Sequence, residues 1–172
     1  MRYDLPLHFV FVLTGWLPDN VPFLRLRGRL ARPFLASCGR NLRLGRNVTF
    51  YNPSMIHLGE DIYIAYGCWF MAGERITVDD ETLFGPYCVV VSANHTQRAG
   101  SFRYGATEEA PIKIGKGTWL GSHVTVTAGA GVGDGSLIAA GAVVTSEIPS
   151  GVAAGGVPAR VLKTLPNESS AA

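Results

Sequence analysis

From Leu42 onward the chain keeps a beat of six. Ile114, Leu120, Val126, Val132, Ile138 and Val144 follow one another at six-residue intervals without a break. The residue after each is small: Gly115, Gly121, Thr127, Gly133, Ala139 and Thr145. Two positions ahead of each stand Ile112, Thr118, Val124, Ala130, Ser136 and Ala142, again small or apolar. The same phase runs upstream through Leu44–Phe50, Leu58–Ile64–Phe70 and Val78–Phe84–Val90, with two eight-residue steps that admit two-residue insertions at corners. An α-helix would need apolar residues every three or four positions, and a hairpin protein would alternate by two over longer runs. The period predicts an all-β solenoid in which each hexapeptide makes a flat strand and a tight corner. Three hexapeptides close one triangular coil, so Leu44 to Val144 supplies about five coils around a column of aliphatic anchors. The small residue after each anchor is read as the bend, where glycine tolerates positive φ.

Composition agrees with a packed domain. At 172 residues and 18.4 kDa, with 47% hydrophobic and 16% charged residues, the chain fits one globular unit. Its 21 glycines keep no period of three and its 10 prolines are few, which excludes collagen. A net charge of +2 gives no pull toward nucleic acid. Cys38, Cys68 and Cys88 are odd in number and widely spaced, so neither a disulfide framework nor a zinc knuckle is expected, and a reduced cytoplasm is the simpler home. The run Gly129, Gly131, Gly133, Gly135 lacks both the register and the Lys-Ser/Thr of a phosphate loop.

Residues 1–40 read as an N-terminal helical cap, 41–148 as the β-helix with an excursion at 92–111, and 149–172 as a C-terminal extension. Leu5 to Leu17 is apolar but too short to span a bilayer. In Val21 to Cys38, Leu26, Leu30 and Phe34 fall at i, i+4 and i+8 with Pro22 near the first turn, predicting an amphipathic helix. It would cap the open end of the core with its arginines in water; the second reading is a basic helix on an anionic membrane, at its inner face.

The rhythm stops between Val90 and Ile114. A solenoid accommodates such an insertion as an excursion from its body, and excursions of this kind build sites. His95 stands where the strand leaves the coil. Imidazole exchanges a proton near neutrality and suits a general base, although a solvated loop histidine is an equal reading from chemistry alone.

These residues resemble the hexapeptide-repeat acyltransferases, whose β-helix is left-handed. The resemblance covers Leu42 to Lys163 and rests on the run Pro111 to Ser122, on Ile138 to Thr145, on Ile148-Pro149, on Ala154 to Arg160, and on the 24-residue step from His95 to Trp119. Galactoside and maltose O-acetyltransferases carry similar runs, while Leu17-Pro18 and Arg25 to Gly28 look more like the polysaccharide and lipopolysaccharide O-acetyltransferase branch. The resemblance implies a left-handed parallel β-helix with an N-terminal helical segment, and an acetyl-CoA-dependent O-acetyltransferase without metal. His95 would be the general base acting on a sugar or glycan-precursor hydroxyl, with a backbone N–H near Ser122 holding the oxyanion. Trp119, Ser122, Ala140 and Thr145 would meet the coenzyme, and Arg160 and Lys163 its phosphates. It further implies a homotrimer with sites between adjacent prisms.

Two departures bear on the acceptor and the coenzyme. Ser146 stands where a basic residue is common, and Ala65 and Gly73 fall where the sugar enzymes carry an asparagine and an aspartate. Asn94, Glu74 and Tyr104, with Glu108 or Glu109, are the remaining candidates for gripping the acceptor. Three other readings compete: an acetyltransferase for an antibiotic or another non-sugar molecule, a non-catalytic binding scaffold, and a γ-class carbonic anhydrase. His8, His57, His95 and His123 offer no His-x4-His pair for the last.

Overall fold

The computed structural model describes residues 4–166. Three parallel sheets wrap a single apolar column. The first stacks Ser37–Cys38, Ile56–Leu58, Ile76–Val78, Ile112–Ile114 and Gly131–Val132. The second stacks Arg43–Leu44, Tyr63–Ile64, Leu83–Phe84, Trp119–Leu120, Leu137–Ile138 and Val152–Gly155, and the third stacks Thr49–Tyr51, Trp69–Met71, Val89–Val91, Thr125–Val126 and Val143–Val144. A last strand, Arg160–Thr164, turns back antiparallel on Val152–Gly155. The parallel stacking thus runs past Val144, and the second sheet is six coils deep.

Each anchor of the hexad pattern points inward. All are at most 6% exposed, and the residues two positions before them, Leu42 and Val48 through Ala142, are buried as well. Burial of a Leu, Ile or Phe side chain stabilises by about 1.5–3 kcal/mol, so the column carries most of the fold. Phe50, Phe70 and Phe84 pack ring on ring through it at 5.3 and 5.1 Å.

The corners correct the expected role of glycine. Left-handed backbone falls three residues after the anchor, from φ 56° at Asp61 to 76° at Gly129, and asparagine, tyrosine and histidine occupy it as well as glycine. The residue directly after the anchor is small for another reason. A Cβ on Gly121 would meet the Ala140 amide nitrogen at 2.7 Å, and one on Gly85 would meet that of Ser122 at 2.7 Å. Close approach of the next coil, not positive φ, excludes a side chain there.

The N-terminal end is closed by α1 (Asp4–Thr14) and α2 (Val21–Ala31), the latter capped by Asn20, whose Oδ1 accepts from the Phe23 amide at 3.3 Å. Here too the expectation is corrected. The face of α2 on the core is Leu24, Arg27, Gly28 and Ala31, while Leu30 is exposed and Phe34 lies beyond the helix in a 3-10 turn. Arg27 is not in water: it is 1% exposed. Its guanidinium donates to the carbonyls of Thr14, Leu17, Pro18 and Leu44 and pairs with Asp19 at 2.9 Å. One side chain thereby ties both helices and their linker to the first coil. Arg27→Met should cost about 3–5 kcal/mol in denaturant unfolding, because it strands the carbonyls of Thr14, Leu17, Pro18 and Leu44 and leaves Asp19 with Arg46 as its remaining partner; unchanged stability would mean that Arg27 does not tie the helices to the coil.

Candidate active site

The interruption at 92–111 is a β-hairpin. Ala93–His95 pairs antiparallel with Thr107–Glu109, setting Ala93 against Glu109, Asn94 against Glu108 and His95 against Thr107. The arms continue through Thr96 N–H to the Ala106 carbonyl at 2.9 Å, and the tip closes between Arg98 and Ser101. Side chains of directly paired residues share a face and successive residues alternate. His95, Thr107 and Glu109 therefore lie on one face of the hairpin, Asn94 and Glu108 on the other. This distinguishes the two adjacent glutamates: Glu109 shares the histidine's face.

The hairpin is fixed at its root by a residue to which the sequence assigned no role. Ser92 is fully buried; its hydroxyl donates to the Glu74 carbonyl at 2.6 Å and accepts from the Glu74 amide at 3.0 Å. Its backbone pairs with Met71 and Ala110. A Cβ on Gly73 would meet the Ala93 Cβ at 2.8 Å and the Glu109 Cγ at 3.0 Å. Glu74 thus sits at the root of the hairpin through its backbone, while its carboxylate accepts from the Arg75 amide at 2.7 Å. His95 and Asn94 are exposed, and Tyr104 stands free near the tip with Arg103 over its ring at 5.9 Å.

The other candidates group elsewhere on the prism. Trp119, half exposed, lies on the outer face of the second sheet in register with Leu83 and Leu137. Ser122 and Ala140 follow that sheet at its corner with the third, one coil apart, with the Gly141 amide donating to the Ser122 carbonyl at 2.9 Å. Arg160 and Lys163 are exposed on the antiparallel strand that edges the same sheet. Thr145 instead stands at the corner between the third and first sheets, the one the hairpin leaves, two coils further along. The chain therefore gathers Trp119, Ser122, Ala140, Arg160 and Lys163 along one sheet and its border. It sets His95, Asn94, Glu74 and Tyr104 at a different corner, a strand of roughly 15–20 Å away for six residues. Three concavities of about 400, 380 and 460 Å³ mark the surface, and none of the three is lined by His95, Trp119 or Ser122.

Two side chains at the Ser122 corner were not singled out by the pattern. Tyr87 and His123 occupy the left-handed corner positions of adjacent coils and stack at 5.1 Å, 14° from parallel. Burial pushes the half-buried Cys38 thiol up to about 11 against a smaller opposing pull from Arg32, and Cys68 and Cys88 are buried with their thiols on the Gly85 and Gly121 carbonyls. Among the described residues no three His, Cys, Asp or Glu side chains gather as a metal site would require.

The parallel solenoid carries a histidine-bearing hairpin at one corner, and comparison with known proteins sets this arrangement among acyl-transfer proteins. Residues 111–146 match the family described as hexapeptide repeat of succinyl-transferase. The galactoside O-acetyltransferase of Escherichia coli K12 is 32% identical over 139 residues, spanning 81% of this chain and 68% of that protein. A putative acetyltransferase of Staphylococcus aureus MRSA252 is 39% identical over 113 residues, 66% of this chain and 57% of that one. Among solved structures, a maltose O-acetyltransferase from Clostridium difficile 630 superposes with TM-score 0.84 at 28% identity, covering 96% of this chain and 88% of the other. A galactoside acetyltransferase in complex with coenzyme A gives TM-score 0.84 at 29% identity, over 98% and 82%. The chain belongs to the hexapeptide-repeat O-acetyltransferase family, and its solenoid is the left-handed β-helix of that family.

Ser92→Ala removes both hydroxyl bonds at the hairpin root and leaves Glu74 backbone groups unsatisfied. It should lower stability by about 1–3 kcal/mol, with amide exchange rising first across residues 93–109; exchange unchanged in the hairpin would mean that Ser92 does not hold it.

Proposed function

We propose that the chain transfers an acetyl group from acetyl-CoA to a hydroxyl of a sugar or glycan precursor, with His95 as general base. The observation that carries the reading is the position of His95: it lies on the hairpin that breaks the solenoid, rooted through Ser92 to a rigid coil. His95 takes the proton from the acceptor hydroxyl as its oxygen attacks the thioester carbonyl. A C–O bond forms and a tetrahedral oxyanion develops, held by a backbone N–H at the Ser122 corner. Collapse expels the CoA thiolate, which takes the proton back from the imidazolium. No enzyme-bound acyl intermediate is needed.

The second sheet and its border form the coenzyme rail: Trp119 beside the thioester, Ser122 and Ala140 along the pantetheine, Arg160 and Lys163 toward the phosphates, with Thr145 reaching it from the neighbouring corner. The separation of this rail from His95 within one chain supports a homotrimer in which each site is completed between two subunits. The reading sets the reaction in the cytoplasm. The acceptor is supported as a sugar by the galactoside and maltose O-acetyltransferase relatives. Its grip differs from theirs in this reading: Ala65 is buried and Gly73 is closed against the hairpin, so Glu109, Asn94, Glu74 and Tyr104 are left to meet it.

Thiol release from acetyl-CoA across a panel of sugars, nucleotide sugars and non-sugar alcohols tests the reading. His95→Ala should lower turnover about 10²–10⁴-fold with the fold intact. Undiminished release from the variant would overturn the general base, and release only with non-sugar acceptors would overturn the substrate class. Arg160→Ala with Lys163→Ala should raise KM for acetyl-CoA about tenfold or more and leave kcat within about twofold, as expected for lost charge-assisted contacts to phosphate.

A further inference from the structure

The two N-terminal helices close the solenoid with one face each and leave the other face without a partner in the chain. On α1, Leu7, Phe11 and Thr14 pack inward, whereas Leu5, Phe9, Val12 and Leu13 stand 55–70% exposed. These four fall at i, i+4, i+7 and i+8, a single ridge along the helix, and Trp16, 78% exposed, extends it just past the helix end. On α2 the outward arc carries Arg25 and Arg29, with Arg32 just beyond. None of these three arginines meets a carboxylate among the described residues. Together with Arg40 they line a concavity of about 400 Å³.

Charge is divided along the molecule in the same sense. Residues 1–46 hold eight arginines and two aspartates, a net of +6, whereas residues 47–172 hold seven basic and eleven acidic side chains, a net of −4. The overall +2 conceals a basic pole bearing an apolar ridge.

We propose that this pole docks on an anionic membrane surface, α1 lying in the interface with its ridge inserted and the arginines of α2 against the lipid headgroups. The ridge suits an apolar boundary, the arginines suit phosphate, and tryptophan at a ridge end favours the headgroup level. The helix lies on the bilayer and does not cross it: eleven residues extend about 16 Å against a hydrocarbon core of about 30 Å, and among the described residues no helix is long and apolar enough to span. A second copy packed pole to pole would set the same arginines against one another, so charge favours the anionic membrane over that pairing. The apolar surface of this pole lies on α1, whereas the sequence pattern places it on α2. Membrane docking stands apart from the catalytic proposal.

The test is sedimentation of the full chain with vesicles of phosphatidylcholine and phosphatidylglycerol at about 7:3, beside vesicles of phosphatidylcholine alone. The chain should bind the anionic vesicles, bind the neutral ones far less, and be released as NaCl rises from about 0.1 to about 0.5 M. Phe9→Ser with Leu13→Ser, and separately Arg25→Gln with Arg29→Gln, should each weaken binding about tenfold or more. Both should keep the wild-type melting temperature and solution-phase thiol release, since all four side chains are exposed and outside the proposed site. Equal binding to both vesicle types, or none to either, would overturn the proposal. So would a Phe9/Leu13 variant that leaves vesicle behaviour unchanged while dissolving a larger assembly in sedimentation velocity, because a second copy would then cover the ridge.

Discussion

Coil must lie on coil at the spacing of a parallel β ladder, and nearly everything else in this protein follows from that demand. At one corner the ladder reads Gly45 N–H to Ile64, Ala65 to Phe84, Gly85 to Leu120, Gly121 to Ile138 and Ala139 to Ala154, each at 2.8–3.1 Å. A Cβ on Gly45, Gly85 or Gly121 would lie 2.6–2.7 Å from an amide nitrogen of the next coil, and the residue after each anchor is glycine or alanine along this whole corner. The anchors in turn are held in register, one directly above another, and the core becomes a column of buried aliphatic and aromatic side chains. A protein built this way has almost no interior in which to make a site. Chemistry must be placed on corners, on edges, or on whatever leaves the ladder.

Among the described residues the hairpin at 93–109 is the large departure from the ladder, and the solenoid treats it as an outgrowth of a corner. Ser92, buried beneath it, satisfies the backbone at Glu74 that the departure would otherwise strand, so a flexible-looking insertion acquires a rigid root. The proposed base and the proposed coenzyme rail then belong to different corners of one prism. In a globular enzyme such a separation would argue against a shared site. In a prism with flat faces, the same separation supports the proposal that a neighbouring copy completes the site. The N-terminal pole obeys the same geometry: an open coil end needs a lid, and two short helices supply it with one face each while offering the outside an apolar ridge and a basic arc.

Most of this architecture could be read from the residues because the constraint is periodic. Leu44, Ile64, Phe84, Leu120 and Ile138 occupy one column, and three steps of the six-residue beat, with the insertions between them, carry each anchor round the prism onto the one below. The family resemblance added handedness, which periodicity does not encode. What escaped was aperiodic or depended on contacts across coils. Arg27 looks like a solvent arginine in α2, and only the convergence of the Thr14, Leu17 and Leu44 carbonyls makes it a buried tie. The Leu26, Leu30 and Phe34 stripe is periodic by accident: Pro33 and the turn at Arg32–Phe34 end the helix before the third member joins it. Gly121 was read as a flexible bend because its neighbour in space, Ala140, is distant in the chain. At the site, His95 announced itself by breaking the rhythm, whereas the choice of Glu109 over Glu108, and the root at Ser92, required strand register.

The claim on which the functional account turns is that a base on one chain works on a coenzyme rail of the next. Co-expression of two inactive variants measures it directly: His95→Ala, which removes the base, and Ala140→Trp, which blocks the exposed rail corner without disturbing the core. If sites lie between chains, mixed trimers regain acetyl transfer, approaching about one quarter of the wild-type site density for random pairing. If base and rail act within a single chain, every site in the mixture carries one lesion, and the mixture stays as inactive as either parent.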